Sequence, residues 1–123
     1  MLGYVTVGTN DLKHAGEFYD KICAEFGVGR MMDFDTFIAW GTPGGGCGIA
    51  ATKPFDGQPA TVGNGVMAAF QADSKEQVDK VYALAISLGA KDEGPAGPRG
   101  DTFYAGYFRD PDGNKLNVFT MTG

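Results

Sequence analysis

Asn117 is an amide among apolar neighbours, in the stretch FRDPDGNKLNVF at 108–119. An Asn side chain offers a neutral donor and a neutral acceptor. On a half-buried strand it either hydrogen-bonds to backbone or orients a polar group of a ligand. Other groups able to do chemistry are sparse. The chain holds 1 His and 2 Cys, at His14, Cys23 and Cys47. A lone His in a helical pattern beside Lys13 and Glu17 reads as a solvated or cap-region side chain. It cannot assemble a Ser/His/Asp or Cys/His arrangement. No Cys-x-x-Cys or His-rich context points to zinc, so two buried, reduced thiols are expected. The glycine-rich runs at 44–46 and 63–65 lack the Lys-Ser/Thr of a phosphate loop and do not lead from a strand into a helix.

Two cations and a set of rings complete the candidates. Arg99 sits in the Gly/Pro loop GPAGPRGD (94–101), from which it can reach a ligand, and Arg109 is expected to pair at the surface with Asp110 or Asp112. Phe34, Phe37 and Trp40 lie on middle strands of the first half. In the second half, alternation puts Phe103 and Tyr107 on one face of a strand and Tyr104 and Phe108 on the other. Either pair could wall a pocket, and an aromatic wall suits a planar or apolar ligand.

These residues have to be held by a repeated set of elements. LGYVTVG (2–8) alternates as a half-buried strand with Tyr4 and Thr6 on one side. Asn10 or Asp11 caps a helix whose Leu12, Ala15, Phe18, Tyr19, Ile22 and Phe26 recur at helical spacing, with Gly27 as its C-cap. Extended pieces follow near 29–34, 37–41 and 46–52. KPFDGQPATVGNG (53–65) reads as a linker. The order then recurs: strand VMAAFQA (66–72), a helix opened by Ser74 with Gln77 and closed by Gly89, and extended pieces near 90–94, 102–109 and 114–121. Asp11 and Ser74 are 63 positions apart, as are Tyr4 and Met67. The expected fold is α+β, two tandem βαβββ modules over 1–52 and 66–123 within one domain of 1–123. Each module has one helix, too little to cover both faces of its sheet.

A length of 123 residues suits one core. The net charge of −5, with no basic run, argues against nucleic acid or an anionic membrane as partner. No window reaches a bilayer-spanning apolar length, and the N-terminus lacks the pattern of a signal peptide, so a cytoplasmic location is expected.

Two βαβββ modules, the NDLKHAGEFYDK helix start and the terminal FRDPDGNKLNVF resemble the vicinal oxygen chelate superfamily, which includes glyoxalase I, extradiol dioxygenases, fosfomycin-resistance enzymes and bleomycin-binding proteins. The linker KPFDGQPATVGNG is similar to that of a glyoxalase-like bacterial subgroup. The resemblance implies curled sheets around a cup, a homodimer, and, in metal-dependent members, His or Glu ligands on the first and fourth strand of each module. Carried over, those positions fall at Tyr4, Ile49, Met67 and Asn117. None is a His or a carboxylate, so no metal cofactor is expected. The resemblance then implies a protein that binds a small organic molecule in the cup, with Tyr4, Ile49, Met67, Asn117, Trp40, Tyr104, Tyr107 and Arg99 as candidate ligand-facing residues and no catalytic residue assigned. Two alternatives stay open: a lyase, isomerase or dioxygenase-type enzyme of the family, and a drug-sequestering protein of the bleomycin-resistance kind.

Overall fold

Each helix begins where a side-chain oxygen meets free backbone N–H groups. The Asp11 carboxylate accepts from the His14 amide at 3.1 Å and opens α1, Leu12–Ala24. The Ser74 hydroxyl accepts from the Gln77 amide at 3.1 Å and opens α2, Lys75–Ser87, while Gln77 accepts in turn from the Asp73 amide. Past the helix ends stand Gly27 at φ 71° and Gly89 at φ 95°, a backbone that strains any residue with a Cβ. Phe26, expected on the first helix's stripe, falls in the turn beyond Ala24.

The computed structural model describes residues 1–123, which divide into two compact units, Met1–Gly63 and Asn64–Gly123. In the first, β1 (Tyr4–Gly8), β2 (Arg30–Phe34), β3 (Phe37–Trp40) and β4 (Gly48–Thr52) form a sheet of order β1-β4-β3-β2. β1 runs parallel to β4, and the other pairs are antiparallel. In the second, β5 (Ala68–Gln71), β6 (Lys91–Pro98), β7 (Phe103–Arg109) and β8 (Lys115–Met121) repeat the pattern as β5-β8-β7-β6, with β5 parallel to β8. Two βαβββ modules are therefore present, as expected.

In each module the helix covers one face of the sheet. Tyr19 of α1 packs its ring 5.3 Å from that of Trp40. Cross-strand partners share a face, so the side of the sheet holding Trp40 also holds Ile38, Ile49, Ala51, Val5 and Val7. The opposite, open face holds Tyr4, Thr6, Phe37, Ala39 and Ala50, with Tyr4 edge-on to Phe37 at 5.7 Å. In module two Tyr82 of α2 lies 6.3 Å from Phe108, and a Cβ on Gly106 would stand 2.9 Å from the Tyr82 ring. Only glycine allows that approach of helix to sheet. Tyr104, Gly106, Phe108, Leu116, Val118 and Thr120 therefore face α2. Phe103, Tyr107, Asn117 and Phe119 line the open face.

Two local expectations change. β6 continues to Pro98 through the segment expected to be loop, with register shifts between Asp92 and Gly94 and again to Gly97. It is an edge strand, where proline costs no ladder bond. Cys47 is exposed while Cys23 is buried; both are free thiols. Burial pushes the Cys23 thiol up to about 12, with the Asp20 carboxylate adding to it. No helix is long and apolar enough to cross a membrane.

Candidate functional site

The turn between β7 and β8 is organised by one buried carboxylate. Asp110 accepts from the Asp112 amide at 3.0 Å, the Asn114 amide at 2.9 Å and Asn114 Nδ2 at 2.9 Å. Gly113, at φ 93°, alone takes the left-handed backbone of the turn. Arg109, expected to pair with Asp110 or Asp112, reaches across to Glu93 on β6 and also donates to the Gly113 carbonyl. β6 lies beside β7, and Glu93, in the register shift between Asp92 and Gly94, reaches the guanidinium. That contact holds the Glu93 carboxyl below its ordinary range.

This closure fixes the register of β8: Asn117 stands opposite Tyr107 and beside Ala69 of β5. Asn117 is 2% exposed, and its Oδ1 has no hydrogen-bond partner. A buried acceptor left unpaired costs about 1–3 kcal/mol, and native chains seldom retain one without a use.

Over the neighbouring ring sit two cations. The Arg99 guanidinium lies 5.5 Å and the Lys115 ammonium 5.7 Å from the Tyr107 centroid. Arg99 is pinned by carbonyls: its Nη1 donates to Gly97 at 3.0 Å and Pro98 at 3.3 Å, and its Nη2 to Pro95 at 2.7 Å. Room for this comes from Gly94, at φ 151°, where a Cβ would lie 3.2 Å from Arg99 Nη2. Neither Arg99 nor Lys115 forms an ion pair, although Glu93 is near enough to feel the charge of Lys115. Phe103 stacks on Phe119 at 5.2 Å along the same face.

The expected site residues divide by face. Asn117, Tyr107 and Arg99 come together in module two. Tyr104 does not join them: it faces α2, its hydroxyl donating to Asp79 at 2.7 Å, a bond that raises its pKa. Trp40 is 1% exposed under α1 and donates its indole N–H to Asp20 at 2.8 Å. Arg30 binds the same carboxylate at 2.8 and 2.9 Å, and together these bonds hold Asp20 below the ordinary range against the opposing effect of burial. Ile49 shares Trp40's covered face. The match to Asn117 in module one is Ala50: Thr6 pairs with Ala50 as Ala69 pairs with Asn117, across the 63-residue repeat. The expected assignment to Ile49 is one residue out of register, and a one-residue slip changes the face. Tyr4 and Met67 are 46% and 41% exposed. Lys115 escaped the sequence reading, although it shares the parity of Asn117 and Phe119.

Module one also has a cleft of about 540 Å³ at the start of α1, lined by Asp11, Lys13, Asp33, Asp35 and Lys53 among others. None of the expected site residues borders it.

A divalent ion of the kind used by metal-dependent relatives needs imidazole and carboxylate donors. Tyr4, Met67 and Asn117 offer a phenol, a thioether and an amide, and Ile49, an alkyl side chain, faces the helix-covered side of its own sheet. No group of three or more His, Cys, Asp or Glu side chains is placed to share an ion. These residues do not fit that metal.

Two mixed four-stranded sheets, each from a βαβββ module with one covering helix, define a glyoxalase-type fold. The chain belongs to the Glyoxalase/Bleomycin resistance protein/Dioxygenase superfamily, whose family model matches residues 1–118. It is similar to a glyoxalase/bleomycin resistance protein from Albidiferax ferrireducens T118, with 37% identity over 98% of each chain and a TM-score of 0.89. A glyoxalase/bleomycin resistance protein/dioxygenase family enzyme from Burkholderia phytofirmans PsJN shares the fold at 23% identity, 96% of each chain and a TM-score of 0.77. So does a lactoylglutathione lyase from Agrobacterium tumefaciens, at 21% identity over 98% of this chain and 92% of that one, with a TM-score of 0.70. Among curated proteins none matches.

Proposed function

We propose that this member of the superfamily binds a small organic molecule on the open face of its second module, without the family's metal site. The observation that carries the reading is Asn117. Its Oδ1 is buried without a partner, on the face away from the covering helix and beside Tyr107. A ligand that brings a hydrogen-bond donor relieves that cost and is thereby oriented. Phe103 and Phe119 supply apolar surface beside it. The drug-sequestering alternative is less well supported, because Arg99 and Lys115 sit on the same face and repel a cationic drug.

The same reading includes a homodimer. Tyr4, Phe34, Val66 and Met67 are large apolar side chains 41–64% exposed in the single chain, and a second copy of the chain is the partner proposed to cover them.

A crystal structure of the protein as purified tests the binding site. Non-protein density with a donor within hydrogen-bonding distance of Asn117 Oδ1 is the expected result. An empty, solvent-inaccessible space beside that oxygen would contradict the reading.

A further inference from the structure

The open face of module two carries charge of a sign opposite to that of the chain. The protein as a whole is at −5. Yet Lys91, Arg99, Arg109 and Lys115 converge on one side of the sheet: Lys91 and Arg109 stand opposite each other, Arg109 stands opposite Lys115, and Arg99 and Lys115 both sit over the ring of Tyr107. Glu93 forms its ion pair with Arg109, and the charges of Lys91 and Lys115 also bear on it. Two further carboxylates of this module are held in other contacts. Asp92 accepts from the Tyr82 hydroxyl at 2.7 Å and the Gly94 amide at 2.8 Å, and Asp110 is buried in the turn.

Arg99 in particular is held as a receptor would hold it. Backbone carbonyls take donors from both Nη groups and fix the plane, while its Nε–H has no protein partner. Carbonyls position a guanidinium without neutralising it, so the charge stays available to an anion. Strand β6 bends around it at Gly94 and Gly97, whose missing side chains leave the space it fills. The Tyr107 that this cation overlies is the cross-strand partner of Asn117, whose unpaired acceptor requires a donor.

From these two demands we infer the chemical class of the ligand, on the basis of the binding reading above. It is a small organic anion, a carboxylate held by Arg99 and Lys115, that also carries a hydroxyl or amino group for Asn117 Oδ1. A hydroxycarboxylate meets both requirements, whereas a neutral amide or a carboxylate without the donor meets one.

Mandelate, mandelamide and phenylacetate separate the two requirements on a common ring and are titrated into the full chain by calorimetry. Saturable mandelate binding is expected, with phenylacetate and mandelamide each weaker by about tenfold or more, the scale of one lost charge-assisted or buried hydrogen bond. Arg99→Gln and Lys115→Gln should each weaken mandelate by a similar factor and flatten its salt dependence, with circular dichroism confirming the fold. Mandelate binding that is absent at millimolar concentration, or unchanged in both variants, overturns the inference. Equal binding of mandelamide and mandelate, lost in Asn117→Leu, overturns the anion class while leaving the binding site intact. No binding of any of the three, together with an empty space beside Asn117 in the crystal, removes both.

Discussion

Module one satisfies its polar groups internally, and module two does not. Under α1, the Asp20 carboxylate accepts from both Arg30 and the Trp40 indole, and Arg30 also reaches Asp33 at 3.0 Å. On the open face of module two, Asn117 Oδ1 has no partner, and Arg99 and Lys115 have a ring beneath them but no carboxylate. The strand orders are the same. What differs is the residue at the equivalent place on the fourth strand, Ala50 in one module and Asn117 in the other, and the charge around it. Duplicated topology supplies two open faces, and the second carries a buried unpaired acceptor with two cations over the neighbouring ring.

The contrast can be broken first at its structural end. Trp40→Ala removes the ring on which Tyr19 packs and leaves Asp20 with one donor fewer, so a loss of about 3–5 kcal/mol in denaturant unfolding is expected. A loss below about 1 kcal/mol would show that the Asp20 cluster is not the anchor of module one. Gly106→Val should be the next largest. The added Cβ meets Tyr82 at 2.9 Å, and overpacking there is expected to cost about 1–3 kcal/mol. Wild-type stability in that variant would mean that α2 does not need the close approach.

Asn117→Leu sharpens the comparison because its sign is opposite to that of an ordinary core truncation. Replacing a buried, unpaired amide by an alkyl group of similar size removes a desolvated acceptor, so stability should stay within about 1 kcal/mol of wild type or rise. A substantial loss would indicate that the amide is a satisfied structural group, and the distinction between the modules would fail.

The smallest effect is expected in acid. Asp20 has its pKa lowered from 3.8, chiefly by Arg30, so its contribution is present above 3.8 and is lost as pH falls through the lowered value. The chain has a single Trp, and its indole donates to Asp20, so Trp40 fluorescence should change below pH 3.8 and Asp20→Asn should abolish that step. In module two, Glu93 is lowered from 4.5 by Arg109 with the same sign, and no tryptophan reports on it. An unchanged acid step in Asp20→Asn would detach the indole signal from this carboxylate.

Much of this was legible in the sequence for identifiable reasons. Helical spacing, the caps at Asp11 and Ser74 and the closing glycines define both helices locally, and the 63-residue offset exposes the repeat. Alternation on β7 separated Tyr107 from Tyr104, though not which of them lay under the helix. That choice depends on Tyr82 packing into the gap left by Gly106, a tertiary contact with no local signature. β4 reads GIAAT, apolar on both faces, so nothing in its pattern fixes whether Ile49 or Ala50 matches Asn117. Trp40 looked like a pocket wall because its partner Asp20 lies 20 positions away. Arg99 was visible as a cation in a glycine and proline run, but its fixed position needs β6 to extend past Gly94 along β7, which the prolines argued against.

The most direct test of the difference between the modules is a nitrogen-15 correlation spectrum of the full chain titrated with mandelate. Saturable shifts in the Asn117 side-chain amide and the backbone signals of Tyr107 and Arg99, with those of Tyr4, Phe37 and Ala50 unmoved, are the predicted result. Shifts confined to the module-one residues, or none at Asn117, would contradict the account.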